Sequence, residues 1–109
     1  MTRPNLTRKL VVEAPDRIPD GGGGFAETWS PVGEVWAEVT TRGAGREIDT
    51  ASRLQLKITL RAAPQGAASR PTAGMRFRDG VRVYDIEAVT EADASGRYLT
   101  CFAVEEVAA

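Results

Sequence analysis

The chain has 109 residues, with 14 Lys and Arg against 15 Asp and Glu, no histidine and one cysteine. This length suits one domain, residues 1–109, that buries roughly two thirds of the surface its unfolded chain exposes. A formal net charge of −1 gives no reason to expect a nucleic acid or a membrane as partner. Without histidine, a Ser-His-Asp or Cys-His catalytic arrangement and a Cys/His zinc site are excluded, and one cysteine forms no internal disulfide.

The N-terminal third of the chain predicts a strand, a glycine-rich turn and a second strand. Alternation over residues 7–14 predicts the first strand, and Pro15 is expected to end it. Gly21, Gly22, Gly23 and Gly24 follow. These glycines do not match a phosphate-binding loop, because neither a Gly-Lys-Ser/Thr sequence nor the start of a helix follows them. We expect a mobile hairpin loop instead.

Residues 25–41 predict a second extended segment that is interrupted near Pro31, since proline cannot donate to a strand ladder. Val35, Ala37 and Val39 then alternate with polar residues and predict a core face. Trp36 falls on the opposite face, so either another part of the chain covers it or it contacts a second subunit. Trp29 raises the same question, but the alternation around it is less regular and defines its face less clearly.

The middle of the chain contains a long connection and the most regular strand. Residues 41–52 break the alternation, and residues 46–52 could form one or two helical turns. A long loop in a small domain is often functional. Leu54, Leu56, Ile58 and Leu60 then alternate strictly with polar residues and predict a buried strand that anchors the core.

The last third predicts a hairpin and a closing strand after an irregular connection over residues 62–73. Asp79-Gly80 is expected to form a two-residue turn of type I′. We expect one apolar face and one polar face on this hairpin. The expected apolar residues are Met75, Phe77, Val81 and Val83, and the expected polar-face residues are Arg76, Arg78, Arg82 and Tyr84. The strand over residues 98–105 places Cys101 in the core.

Together these patterns predict an all-β fold of about six mainly antiparallel strands with long loops and at most one short helix. Strands joined by hairpins tend to close into a small β-barrel or a sandwich, because closure removes exposed edges. The chain shows neither a signal peptide nor a segment as long as a membrane span, so we expect no membrane partner.

The order of these features resembles the phage head–tail joining family, also called head-closure or stopper proteins, which includes members from gene transfer agents. The resemblance extends over about residues 6–106. Its matching pieces are the Gly-rich turn followed by Phe25, Thr28-Trp29, Val35-Trp36-Ala37-Glu38-Val39, Gly45-Arg46-Glu47, Leu56-Lys57-Ile58-Thr59-Leu60-Arg61, Gly74-Met75-Arg76-Phe77 and Val83-Tyr84-Asp85-Ile86. No single piece is specific, and the ordered set at similar spacings carries the resemblance.

The resemblance implies a non-enzymatic structural protein without a cofactor. Such a protein is assembled in the bacterial cytoplasm and located in the neck of the particle. It forms a homo-oligomeric ring between the portal or its adaptor and the tail terminator. There it retains packaged double-stranded DNA and docks the tail.

In the family the loop between the second and third strands can project into the channel and act as a gate, which here corresponds to residues 40–52. The channel-loop candidates are Arg42, Gly43, Gly45, Arg46, Glu47, Ile48 and Asp49. Glycines permit movement and arginines attract DNA phosphates by charge. An ordinary solvated loop or a subunit contact is the alternative. The candidates for contacts with subunits or partners are Trp29, Trp36, Gly22 and Gly23.

Two other classes of function remain open from the sequence. A barrel with Arg76, Arg78 and Arg82 on one hairpin face could bind nucleic acid, although such modules usually add stacking aromatics. An enzyme or metal site would need clustered ligands. The candidate carboxylates are scattered along strands, at Glu13, Glu34, Glu38, Asp85 and Glu87.

Overall fold

The computed structural model describes residues 4–19, 21–44, 51–64 and 66–108. Six strands form in this part of the chain, and it contains no helix. The strands are β1 (Arg8–Pro19), β2 (Phe25–Ala44), β3 (Ala51–Arg61), β4 (Arg76–Asp79), β5 (Arg82–Glu91) and β6 (Tyr98–Ala108).

The six strands close into an antiparallel barrel in the order β1-β2-β3-β6-β5-β4. β4 closes the barrel by pairing with β1, where Val11, Val12 and Glu13 lie opposite Arg78, Phe77 and Arg76. The predicted all-β fold is therefore confirmed, as a barrel and not a sandwich. Closure is expected for a sheet of this size because it leaves few unpaired strand edges.

The core is built from alternate residues of all six strands. Leu56, Ile58 and Leu60 of β3 are at most 1% exposed, which confirms the predicted alternation, while Leu54 is only partly buried. Burial of each such aliphatic side chain contributes roughly 1.5–3 kcal/mol. The other strands add the buried residues Leu10, Val12, Ala37, Phe77, Tyr84, Ile86, Leu99, Cys101 and Ala103.

The β1–β2 hairpin extends beyond the barrel at one end, and β2 continues past its last pairing with β1, at Ala37, toward the opposite end. We call residues 14–19 and 21–30 of the β1–β2 hairpin the arm, and the barrel end from which it extends the arm end. Residues 62–64 and 66–75 and the β5–β6 turn over residues 92–97 lie at this end too. The opposite end, called the loop end, carries the end of β2, the start of β3, the β4–β5 turn and the end of β6.

The expectation that Pro15 ends the first strand is wrong, because β1 continues to Pro19 opposite Phe25. Beyond Glu13, β1 pairs with β2 and has no partner on its other side among the described residues. Proline is tolerated on such an edge, where its missing N–H faces away from the ladder. The predicted interruption of β2 is confirmed as a bulge at Val32, where Gly33 pairs with Val12 and Pro31 with Glu13.

The register of the β4–β5 hairpin differs by one residue from the predicted one. Asp79 pairs with Arg82, so Gly80 and Val81 are the central residues of the turn. Gly80 has a φ of 63° and Val81 does not have a positive φ, which fits type II′ and not type I′. Val81 is consequently 96% exposed, and Tyr84 lies opposite Phe77 in the core. The predicted placement of Val81 in the core and of Tyr84 on the polar face is wrong.

Candidate functional site

The structure places the sequence-derived candidates at different parts of the barrel and does not bring them together. Gly22 and Gly23 lie in the exposed turn at the tip of the arm. Arg42 and Gly43 lie near the end of β2, at the loop end. Gly45, Arg46, Glu47, Ile48 and Asp49 lie outside the described residues. The possible helical turns over residues 46–52 fall largely outside as well, and Ala51 and Ser52 belong to β3.

Arg42 occupies a β-bulge, since Thr41 pairs with Leu56 and Gly43 with Gln55. Its side chain is exposed, and its guanidinium carbon lies 4.5 Å from the centroid of the Phe102 ring on β6. This cation–π contact fixes the direction of the side chain while leaving its charge accessible to solvent.

Trp36 lies on the outer wall of the barrel. It is opposite Lys9 of β1, and its side chain is 56% exposed. Of the two possibilities open from the sequence, a cover supplied by the described part of the chain is therefore excluded. Lys9 and Glu34 flank it with a 3.5 Å ion pair. An exposed tryptophan within a charged rim has the composition of a protein–protein contact.

Trp29 has a different environment, because it lies in the arm and packs against the barrel. The guanidinium carbon of Arg76 lies 4.2 Å from the centroid of its ring. Arg76 is also paired with Glu13, whose carboxylate accepts hydrogen bonds from the Nε atoms of Arg76 at 2.7 Å and Arg78 at 3.1 Å. We call these four residues the seam cluster, since Glu13 and the two arginines join β1 to β4 where the barrel closes.

A second polar group fills the loop end of the barrel from the inside. Arg82 and Glu105 form two hydrogen bonds of 2.8 Å, and Glu105 is 6% exposed. Arg8 pairs with Asp79, which also accepts a hydrogen bond of 3.2 Å from the Tyr84 hydroxyl. We call these five residues the inner cluster. Among the described residues no buried side-chain nitrogen or oxygen lacks a hydrogen-bond partner, and these contacts account for the buried polar groups at this end.

The two clusters correct the prediction of a basic face on the β4–β5 hairpin. Arg76 and Arg78 point outward to Glu13, whereas Arg82 shares the inward direction of Tyr84 and binds Glu105. These arginines are held by carboxylates and are not aligned for binding phosphates. The alternative of a nucleic-acid-binding module loses its main support.

The sequence patterns did not reveal these carboxylate–arginine pairs, because both kinds of residue sit at positions that alternation assigns to solvent or to the strand end. Only the long-range pairing of β1 with β4 and of β5 with β6 brings them together. Pro31 predicts an irregularity in β2, and the register shift that it marks lies next to Glu13.

The arginine pairs lower the pKa of two glutamates. Burial opposes ionisation of Glu13, but hydrogen bonds from Arg76 and Arg78 outweigh it and lower its pKa below 4.5. The hydrogen bonds from Arg82 lower the pKa of Glu105 in the same direction, against a smaller effect of burial. Folding therefore favours the charged form of both groups.

Stability is expected to fall in acid. A carboxyl with a lowered pKa in the folded state stabilises the fold above its unfolded pKa, and this contribution is lost as the pH falls through the folded pKa. The free energy of unfolding should thus be nearly constant above about pH 6 and decrease below about pH 4.5. Urea unfolding at a series of pH values measures it.

Glu105→Gln should flatten this acid dependence and lower stability at pH 7. Glu34→Gln is the matched control, since its side chain is 59% exposed and 3.5 Å from Lys9. An acid dependence of Glu105→Gln equal to that of the unchanged protein would contradict the assignment.

Cys101 is buried and unpaired with another cysteine, and burial raises its thiol pKa to about 12. It is therefore a core residue and not a nucleophile at neutral pH. Among the described residues no group of three or more Cys, Asp or Glu side chains has the spacing of a metal site. The same part of the chain has no helix long and apolar enough to cross a membrane.

A model of the phage head completion protein family matches residues 1–106. The chain belongs to this family. Head completion proteins are structural virion proteins, so the resemblance inferred from the sequence and the expected location in a virion are confirmed.

Among solved structures, the head completion protein is similar to a chain from the virion of a native gene transfer agent particle. The two share 48% sequence identity and superpose with a TM-score of 0.86, over 98% of this chain and 100% of the other. No curated protein matches the sequence.

Proposed function

We propose that this head completion protein is a non-enzymatic connector in the neck of a phage or gene transfer agent particle. It forms a ring below the portal, retains the packaged double-stranded DNA and docks the tail. The observation that carries the proposal is the similarity along the whole chain to a component of a native gene transfer agent virion. The partners are the portal or adaptor on one side and the tail terminator on the other.

The shape of the protein supports a position between two other protein rings. Its barrel is closed, so its own fold needs no partner strand, and the arm and the end of β2 lie at opposite ends. The exposed Trp36 lies on the wall between these ends. This arrangement suits a subunit that contacts its ring neighbours sideways and different proteins above and below.

We assign the gate of the channel to the loop over residues 40–52. Arg42 supports this assignment, since its exposed charge is held near the loop end by Phe102. Gly43 lies in β2 and pairs with Gln55. A proline at Gly43 would disturb the ladder as well as the loop, so a charge substitution further along is the cleaner test.

Arg46→Glu is expected to reduce retention of packaged DNA several-fold, because a negative charge in the channel repels phosphates. The fraction of encapsulated DNA that resists added nuclease measures this effect. Arg46→Lys is the matched control and should retain DNA normally. Equal retention of DNA by the Glu and Lys variants would contradict the assignment of the gate to this loop.

The proposed function is tested by deleting the gene and examining the particles by electron microscopy and nuclease protection. DNA-leaking heads without tails, together with free tails, are the expected result. Normal tailed particles with protected DNA would overturn the connector role.

A further inference from the structure

We propose that the outer edge of β2 in the arm, over residues 25–30, accepts an extended strand from a different protein of the particle. This inference rests on the proposed function, since it names how the connector holds one of its neighbours. It concerns the arm end of the barrel and is independent of the gate loop, which lies at the loop end.

The register of the arm determines which backbone groups face this edge. In an antiparallel pair, opposed residues alternate between hydrogen-bonded pairs and pairs whose N–H and C=O groups point outward. Pro15 and Pro19 have no N–H to donate to β2. Their pairs with Trp29 and Phe25 are therefore the pairs whose N–H and C=O groups point outward. The pair of Arg17 with Glu27 has the same parity and is outward too.

Phe25, Glu27 and Trp29 consequently present three N–H and three C=O groups on the outer edge of β2. The described part of the chain supplies no strand to pair with them, because β3 first pairs with β2 at Ala37. The edge ends near Gly33, which lies so close to Ser69 that an added Cβ would be 2.8 Å from the Cβ of that serine. An unpaired edge of this length is a template for β-augmentation.

The two edges of the arm are not equivalent. On β1, the outward positions are Pro15, Arg17 and Pro19, so Arg17 alone can donate an N–H. Prolines on an edge strand block the addition of a further strand. On β2, proline is absent from residues 25–30. The arm therefore has one blocked edge and one edge that is competent to pair.

The end of this edge nearest the barrel is also held in place. Trp29 packs against Arg76, and Arg76 is 2.7 Å from Glu13 on the barrel. This contact orients the part of the edge around Trp29 before a strand adds to it, which lowers the entropic cost of binding there.

The blocked β1 edge argues that the added strand comes from a different protein. Rotational symmetry puts the arms of all copies on the same side of a ring, so an edge-to-edge contact between neighbouring arms would join the β2 edge of one copy to the β1 edge of the next. Residues 62–64, 66–75 and 92–97, also at the arm end, contain turns and irregular segments but no strand. β6 pairs with β3 up to Ala108, and among the described residues its β5 side has no partner beyond Val104. This edge lies at the loop end, so pairing it with an arm would stack copies into an open fibre.

Glu27→Pro tests the proposal, because it removes the central outward N–H without removing a hydrogen bond to β1. Arg17→Pro is the matched control: it makes the same change directly opposite, on the edge that is already blocked. Glu27→Ala is the second control, since main-chain pairing does not need the side chain. All three are introduced into the full chain in a strain lacking the original gene.

The expected result is a roughly tenfold or greater loss of tailed, DNA-retaining particles for Glu27→Pro, with Arg17→Pro and Glu27→Ala near the unchanged level. Purified Glu27→Pro must unfold at the same temperature as Arg17→Pro for this comparison to stand. Hydrogen exchange gives a readout that does not depend on the variants. In the isolated chain the amides of Phe25, Glu27 and Trp29 should exchange quickly and become protected in the intact particle.

The outcomes separate this inference from the proposed function. If the deletion strain makes tailless heads but the three amides stay unprotected in the particle, the inference fails and the connector role stands. Normal particles from Glu27→Pro would overturn the inference in the same way. Cryo-electron microscopy of the neck identifies the strand: one from another protein supports the proposal, and one from a second copy overturns it.

Discussion

Replacing Tyr84 by alanine is expected to lower the free energy of unfolding by about 3–5 kcal/mol. Tyr84 is fully buried between β4 and β6, opposite Phe77. Its removal leaves a cavity in the core and takes away the hydroxyl that donates to Asp79. For a domain of this size such a loss is a large part of the total stability. Urea unfolding of the purified protein, followed by circular dichroism, measures it.

Val81→Ala is the control for this prediction and should change stability by less than about 0.5 kcal/mol, because Val81 is 96% exposed at the turn. The pair of variants discriminates between the two possible registers of the hairpin. A type I′ turn at Asp79-Gly80 would bury Val81 and expose Tyr84, and would reverse the order of the two effects.

This hairpin shows where sequence reasoning reached its limit. Alternation identified two strands and their connection, but both parities of β5 carry apolar residues. The inward parity therefore had to be inferred from the turn type, and the Asp79-Gly80 dipeptide favoured the wrong parity. By contrast, β3 has aliphatic residues on one parity and polar residues on the other, so its inward face could be predicted without knowing its partners.

The candidate site was predictable in part for the same reason. Trp36 stood out because it interrupts the polar parity of β2, and its exposure agrees with that pattern. The seam and inner clusters were not predictable, because each joins residues far apart in sequence, such as Glu13 with Arg76 and Arg82 with Glu105. Their positions depend on which strands become neighbours when the barrel closes.

The seam cluster explains how a short strand can close the barrel. β4 has four residues and pairs with β1 at three positions. Glu13 bridges Arg76 and Arg78 at this junction while Arg76 also covers Trp29. The ion pairs thus reinforce the shortest ladder of the barrel and fix the direction of the arm with the same side chains. Closure of the barrel and presentation of the β2 edge are therefore linked.

The second large effect concerns Trp36, which we propose as the contact between neighbouring subunits of the ring. Trp36→Ala should leave the stability of the isolated chain within about 0.5 kcal/mol of the unchanged protein, because the side chain is already 56% exposed. If it anchors a subunit contact, its removal should weaken association by about 2 kcal/mol, or roughly 30-fold. Complementation of the deletion strain, with counts of tailed and tailless particles, measures the loss.

Trp29→Ala is the control for this prediction, since it removes the same kind of side chain from a position that packs within the chain. It should reduce the stability of the isolated protein by about 0.5–2 kcal/mol through loss of the contact with Arg76. The two tryptophans would then differ in the isolated chain, where Trp29→Ala lowers the stability and Trp36→Ala does not. Normal assembly of particles by a stable Trp36→Ala protein would contradict the assignment of the subunit contact to this wall of the barrel.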